Sequence, residues 1–135
     1  NYCQRTGQSG PQEHGDIICC SQESLAVRYR QVLEGLENLV GYPIQVVHVV
    51  GGGTQNGLLC QATADACGRP VLAGPVEATA IGNCLMQAIT GGGVASVSEA
   101  RQLVRESFDV RTYEPRGSDD WLEAYDRFKQ LRGAG

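Results

Sequence analysis

The feature that most restricts this chain is the junction Ile44-Gln45-Val46-Val47-His48-Val49-Val50, which runs straight into Gly51-Gly52-Gly53. A nearly continuous β-branched run reads as a strand apolar on both faces, as in the middle of a parallel sheet. Such a strand needs helices to cover it, and helical patterns lie on either side. Upstream, Asp16 caps a helix to about Leu39. In it Leu25, Tyr29, Val32, Leu33, Leu36 and Leu39 recur at helical spacing, while Arg28, Arg30, Gln31, Glu34 and Glu37 occupy the other side. Gly41 and Pro43 stop it.

Downstream, Thr54 to Cys67 reads as a helix closed by Gly68 and Pro70, and Val71-Leu72-Ala73 as a short strand ending in Gly74-Pro75. Glu77 to Ile89 is a further helix, with small residues Ala78, Gly82 and Ala88 along one side and Gly91-Gly92-Gly93 as its stop. Ser96 with Glu99 makes a capping box for a helix to about Phe108. Val110 to Tyr113 is a short extended piece, and Pro115 and Gly117 turn the chain. Ser118 caps a last helix striped by Leu122, Tyr125, Phe128 and Leu131, with Trp121 and Tyr125 anchoring it. Residues 1–15 show no periodicity and read as a loop. The expected class is therefore α/β, with helices packed on a small parallel sheet. Neither glycine triplet repeats the pattern around the other, so there is no internal duplication.

Composition narrows the function. The 135 residues suffice for one domain, and 41% hydrophobic against 19% charged content excludes a disordered chain. A net charge of −4 argues against a duplex nucleic-acid binder. No apolar run approaches the roughly 20 residues of a membrane span. The only methionine is Met86 and the chain starts Asn1-Tyr2-Cys3, so a piece of a longer polypeptide is expected. The cysteines at 3, 19, 20, 60, 67 and 84 lack C-x-x-C spacing, and neither His14 nor His48 falls at a zinc-finger interval. They read as reduced thiols of a cytoplasmic protein, with Cys60, Cys67 and Cys84 as small hydrophobes on helices. A bridge from Cys3 to Cys19 or Cys20 stays open.

Chemistry points to the glycine turn. Ligands of open α/β sheets gather at the carboxyl ends of strands. Glycines there let backbone approach a ligand, and the helix start that follows favours anionic groups. The turn has no Gly-Lys-Ser/Thr, so it is not a P-loop. Asn56 stands where a dinucleotide fingerprint needs its third glycine, and the second strand ends in Ala73-Gly74 without an acidic residue for ribose. Glu77, Thr79 and Asn83 open the helix after Gly74-Pro75, where Glu77 suits the helix dipole. Asp65 and Gln61 read as solvated or packing polars. His48 reads as a core histidine, since no Ser or Cys nucleophile accompanies it.

Taken together, several motifs resemble the C-terminal domain of FGGY carbohydrate kinases. They are Gly51-Gly52-Gly53-Thr54-Gln55-Asn56, Leu58-Leu59-Cys60-Gln61, Ala64-Asp65, Gly68-Arg69-Pro70-Val71 and Gly74-Pro75-Val76-Glu77-Ala78-Thr79-Ala80-Ile81-Gly82-Asn83. The opening Tyr2-Cys3-Gln4-Arg5-Thr6-Gly7-Gln8 and Glu23-Ser24-Leu25-Ala26 are similar to the branch acting on L-rhamnulose. The resemblance spans about residues 1–132. It implies part of an actin-like, ribonuclease-H-like ATPase domain whose glycine turn binds adenosine. By position, Gly52 would lie against the nucleotide and Asn56 would hydrogen-bond it, with Gly51 and Gly53 shaping the loop. The implied cofactors are ATP and Mg²⁺.

The same resemblance places the general-base Asp, most sugar contacts and the phosphate-binding hairpins in segments preceding this one. No catalytic or metal-binding residue is therefore assigned within the chain, and its partner is a missing N-terminal domain. Other FGGY kinases, acting on xylulose, fuculose or glycerol, and a non-catalytic actin-like interaction module are the alternatives.

Overall fold

A computed structural model of the chain describes residues 2–5, 7–117 and 119–133. One turn of helix, α1 (Tyr2–Arg5), interrupts the expected opening loop, and the chain then enters α2 (His14–Val40). This helix starts two residues before the expected cap. Asp16 lies inside its first turn, where one carboxylate oxygen accepts the Glu13 N–H at 3.1 Å and the Gln12 N–H at 3.2 Å. Gly41 ends α2 at φ 78°, its N–H bonded to the Glu37 carbonyl at 2.9 Å.

The central sheet is smaller than the apolar run suggests. Strand β1 covers only Val47–Val49, because side chains claim the backbone before it. The Ile44 N–H donates to Glu37 Oε1 at 2.8 Å, and its carbonyl accepts from Arg69 Nε at 2.9 Å. β1 pairs in parallel with β2 (Val71–Ala73) across the crossover helix α3 (Gly57–Cys67). Two helices in succession, α4 (Ala78–Thr90) and α5 (Val97–Ser107), then lead to β3 (Arg111–Tyr113). One crossover helix returns the chain parallel. Two bring it back the other way, so β3 is antiparallel to β2 and the sheet is mixed rather than parallel, in the order β1-β2-β3.

The core lies between α3 and the sheet, where Cys60, Ala64, Val71 and Ala73 are buried with Val47, Val49 and Tyr113 against them. α2 packs on α3 and on α6 (Asp119–Gly133), with Ala26, Val27 and Leu33 its buried positions. The expected cap of α6, Ser118, lies outside the described residues. Tyr125 anchors α6 and is 4% exposed. Its hydroxyl donates to Glu34 Oε2 at 2.5 Å, and the Arg30 guanidinium lies 4.3 Å from the ring centroid. Burial, then the Glu34 carboxylate, push the hydroxyl up to about 12, so it stays protonated and remains the donor.

Three expectations about burial fail. On α2, Leu25, Tyr29, Val32, Leu36 and Leu39 stay exposed and only Leu33 of the stripe is buried, while Tyr29, Val32 and Leu36 line a cavity with β1 and α3 instead of closing against them. His48 and Val50 are exposed on the sheet face beside α4 and α5, so β1 is not covered on both sides and His48 is no core histidine. Cys84 is exposed where a small buried hydrophobe was expected, while Cys60 and Cys67 are buried.

None of the six cysteines is in a disulfide. Burial pushes the Cys67 thiol up to about 11, and Cys60 is raised by the same cause. The thiolate is the reactive form, so a raised thiol gains reactivity only as pH climbs toward its own pKa. Alkylation of the folded 135-residue chain at pH 8 is expected to label Cys19, Cys20 and Cys84 rapidly and Cys60 and Cys67 only after denaturation. Peptide mapping by mass spectrometry reads the order, and rapid labelling of Cys60 or Cys67 in the folded chain would contradict this packing.

Candidate functional site

β1 delivers an extended Val50, and Gly51 then reverses direction at φ 80°, a conformation that L side chains avoid. Residues Gly51–Gln55 form a short 3₁₀ helix rather than the first turn of α3. The Thr54 hydroxyl closes it by donating to the Gly51 carbonyl at 2.8 Å. Asn56 follows as the N-cap of α3, its Oδ1 accepting the Leu59 N–H at 3.1 Å. The buried Cys60 thiol reaches back to the Gly53 carbonyl at 3.7 Å, so the core holds the turn from below.

The turn is also tied to the end of β2. Gly74 N–H donates to the Val49 carbonyl at 2.9 Å and Gly51 N–H to the Pro75 carbonyl at 3.2 Å. Together these segments border a cleft of about 390 Å³. Thr54 and Gln55 come from the turn, Gly74 to Glu77 from the approach to α4, Ile81 from α4 itself, Phe108 and Asp109 from the approach to β3, and Arg111 from its first residue. Arg111 Nε pairs with Asp109 Oδ2 at 3.0 Å at an exposed rim, which raises the guanidinium pKa further.

The glycines differ in what demands them. Gly51 is required by its φ. A Cβ on Gly53 would meet Val49 Cγ1 at 3.6 Å, an ordinary contact. A Cβ on Gly52 would meet nothing within 4 Å, and the backbone there is not left-handed. Neither conformation nor packing among the described residues explains its lack of a side chain.

The structure thus brings Gly51, Gly52, Gly53 and Asn56 together in one turn and sets Glu77 on the cleft, where its carboxylate makes no helix-capping bond. Thr79 and Asn83 are exposed on α4 and do not line the cleft. Gln61 and Asp65 serve packing: Gln61 Nε2 donates to Asp65 Oδ1 and to the Glu114 carbonyl, each at 2.9 Å, and Asp65 also accepts the Arg116 N–H at 2.8 Å. Sequence reasoning missed Phe108, Asp109 and Arg111, whose place depends on the antiparallel return of β3. It also missed Gly57, where a Cβ would lie 3.3 Å from the Tyr113 hydroxyl. A glycine opening a helix was the available signal there. Among the described residues no three His, Cys, Asp or Glu side chains cluster to hold a metal ion, and no helix is long and apolar enough to cross a membrane.

Comparison with known proteins supplies the context. The sequence model of the FGGY family of carbohydrate kinases, C-terminal domain, matches residues 3–91. A rhamnulokinase of Bacteroides thetaiotaomicron is 52% identical over 128 residues, which are 95% of this chain and 26% of that protein. One from Bacillus subtilis is 43% identical over 88% of this chain and 24% of its own length. The chain therefore spans about a quarter of the curated relatives it matches. Among solved structures, Plasmodium falciparum glycerol kinase with ADP superposes with a TM-score of 0.75 at 17% identity, covering 93% of this chain and 26% of that one. Xylulose kinase from Rhodospirillum rubrum gives 0.68 at 23% identity over 95% and 25%. At these identities the superpositions establish a shared fold.

The Asp65 clamp gives a direct test of the site's scaffolding. Asp65→Ala removes a charge-assisted acceptor from a backbone N–H and is expected to cost about 1.5 kcal/mol. Urea unfolding of the variant reads this as a lower midpoint at unchanged slope. An unchanged midpoint would show that the clamp does not hold residues 114–116.

Proposed function

The chain belongs to the FGGY family of carbohydrate kinases, and on that premise we propose that residues 1–135 are the C-terminal, nucleotide-binding domain of a rhamnulokinase. In the whole polypeptide, ATP would transfer its γ-phosphate to the 1-hydroxyl of L-rhamnulose. The observation that carries the reading is the open side of Gly52, at the carboxyl ends of two parallel strands. Gly15, Gly35 and Gly82 are as open, but Gly52 alone of these stands at the carboxyl end of a parallel strand, where ligands of such sheets gather. A nucleoside laid on the turn would use that space.

In this reading Gly51 sets the bend, Gly53 lets the turn settle on Val49, and Asn56 presents its amide beside the start of α3. The positive end of the α3 dipole adds favourable charge for an anionic ligand. Mg²⁺, when bound with ATP, supplies neutralisation of the phosphate charge. The carboxylate base, the phosphate-binding hairpins and the metal position belong to the portion of the parent that precedes this chain. The likeness in sequence to rhamnulokinases, against weaker identity to glycerol and xylulose kinases, favours L-rhamnulose as the sugar. An interaction module that had lost its nucleotide would have no use for an open Gly52.

Two expected outcomes follow. In the full-length enzyme, Gly52→Arg should leave the thermal midpoint unchanged and raise KM for ATP by about tenfold or more, since tenfold needs only ~1.4 kcal/mol. Unchanged nucleotide affinity would sink the assignment of the turn. In a coupled assay, the full-length enzyme should prefer L-rhamnulose to xylulose, fuculose and glycerol, and the 135-residue chain should phosphorylate none of them. Turnover by the chain alone would place the reaction centre within it.

A further inference from the structure

We propose that Phe108 is the aromatic wall on which the nucleobase packs, so that the nucleotide site extends past residues 3–91 matched by the family. The inference rests on the reading of the glycine turn as the nucleoside seat. Thr54 and Gln55 of that turn share the cleft with Pro75, Ile81 and Phe108. A purine has two flat apolar faces and a polar edge. The cleft offers apolar surface from Pro75, Ile81 and Phe108, with the polar groups of Gln55, Glu77 and Arg111 around it. Phe108 is 42% exposed, an aromatic ring left partly facing water beside a cavity of about 390 Å³. A base stacked on it would cover that surface.

The backbone that carries the ring is anchored on both sides. Phe108 ends α5, with an extended backbone and its N–H bonded to the Val104 carbonyl at 3.0 Å. Three residues on, Arg111 begins β3 in register with Ala73, the last residue of β2. The far end of β3 is fastened to α3, the helix that the glycine turn opens. There the Tyr113 hydroxyl sits against Gly57, and Gln61 and Asp65 hold Glu114 and Arg116. Turn and wall therefore belong to one braced unit, as a site that must grip a flat ligand requires.

The test is ADP titration by calorimetry into the full-length polypeptide, with inorganic pyrophosphate as a probe that lacks the base. Phe108→Ala should weaken ADP by about tenfold and leave pyrophosphate within twofold, while Phe108→Tyr should bind ADP within about twofold of the wild type. Phe108→Leu keeps apolar bulk without the flat ring and carries the same expectation should the alanine variant fail to fold. ADP affinity unchanged in a folded Phe108→Ala or Phe108→Leu protein overturns the proposal, as does an equal loss for pyrophosphate. Gly52→Arg run in parallel separates the two readings. Loss of ADP in Gly52→Arg alone removes Phe108 from the site and leaves the glycine turn in place. No loss in either removes both.

Discussion

Two backbone hydrogen bonds just past the end of the β1–β2 ladder determine most of what this domain can do. Gly74 N–H to Val49 and Gly51 N–H to Pro75 hold the exits of both strands side by side. Each bond needs a backbone that comes close. Gly74 sits where a Cβ would just touch Val50 Cγ1 at 3.4 Å, and Gly51 takes up the left-handed bend that requires glycine. With the exits joined, the segments leading to α3 and to α4 diverge from one point, and the cleft is the space between them. A three-residue strand pair would be a weak scaffold alone. Here the ties at its end and the Cys60 thiol under Gly53 brace it against α3.

A second fastening works at long range. α6 returns to α2 through Tyr125, whose ring lies beside Arg30 and whose hydroxyl engages Glu34. The loop after β3 returns to α3 through Gln61 and Asp65. Polar side chains that seemed to be surface residues on two helices thus bind the last quarter of the chain to the first half. The apolar stripe of α2 takes no part in these polar ties and stays largely exposed apart from Leu33.

The sequence was most legible where local chemistry decides. The helices α2 to α6 lie where periodicity placed them, with α2 starting before Asp16 and α3 starting after Thr54, and Ser96 accepts the Glu99 N–H as a capping residue should. The glycine turn, its position after a strand and its four candidate residues were visible for the same reason. Legibility stopped where partners are remote in sequence. The run from Ile44 read as strand, but Glu37 and Arg69 take the backbone of Ile44. The stripe on α2 and the apolar face at His48 read as core because apolar residues are written there, whereas the neighbouring helices leave cavities beside both. The direction of β3, and with it Phe108 and Arg111, follows from how many helices intervene, which no single motif encodes.

The long reach of those fastenings has a kinetic side. Gln61 meets the loop 53 residues further on, and Glu34 meets Tyr125 across 91 residues. Closing such loops is entropically slower than forming the α3 crossover between neighbouring strands. On chain-entropy grounds the wall at 108–116 is among the last pieces to settle on the sheet. The Gln61 and Asp65 contacts to 114–116 are partly solvated and open most readily, whereas residues 111–113 stay paired with β2. A transient release of the 114–116 loop from α3 would leave the β1–β2 pair and the glycine turn folded.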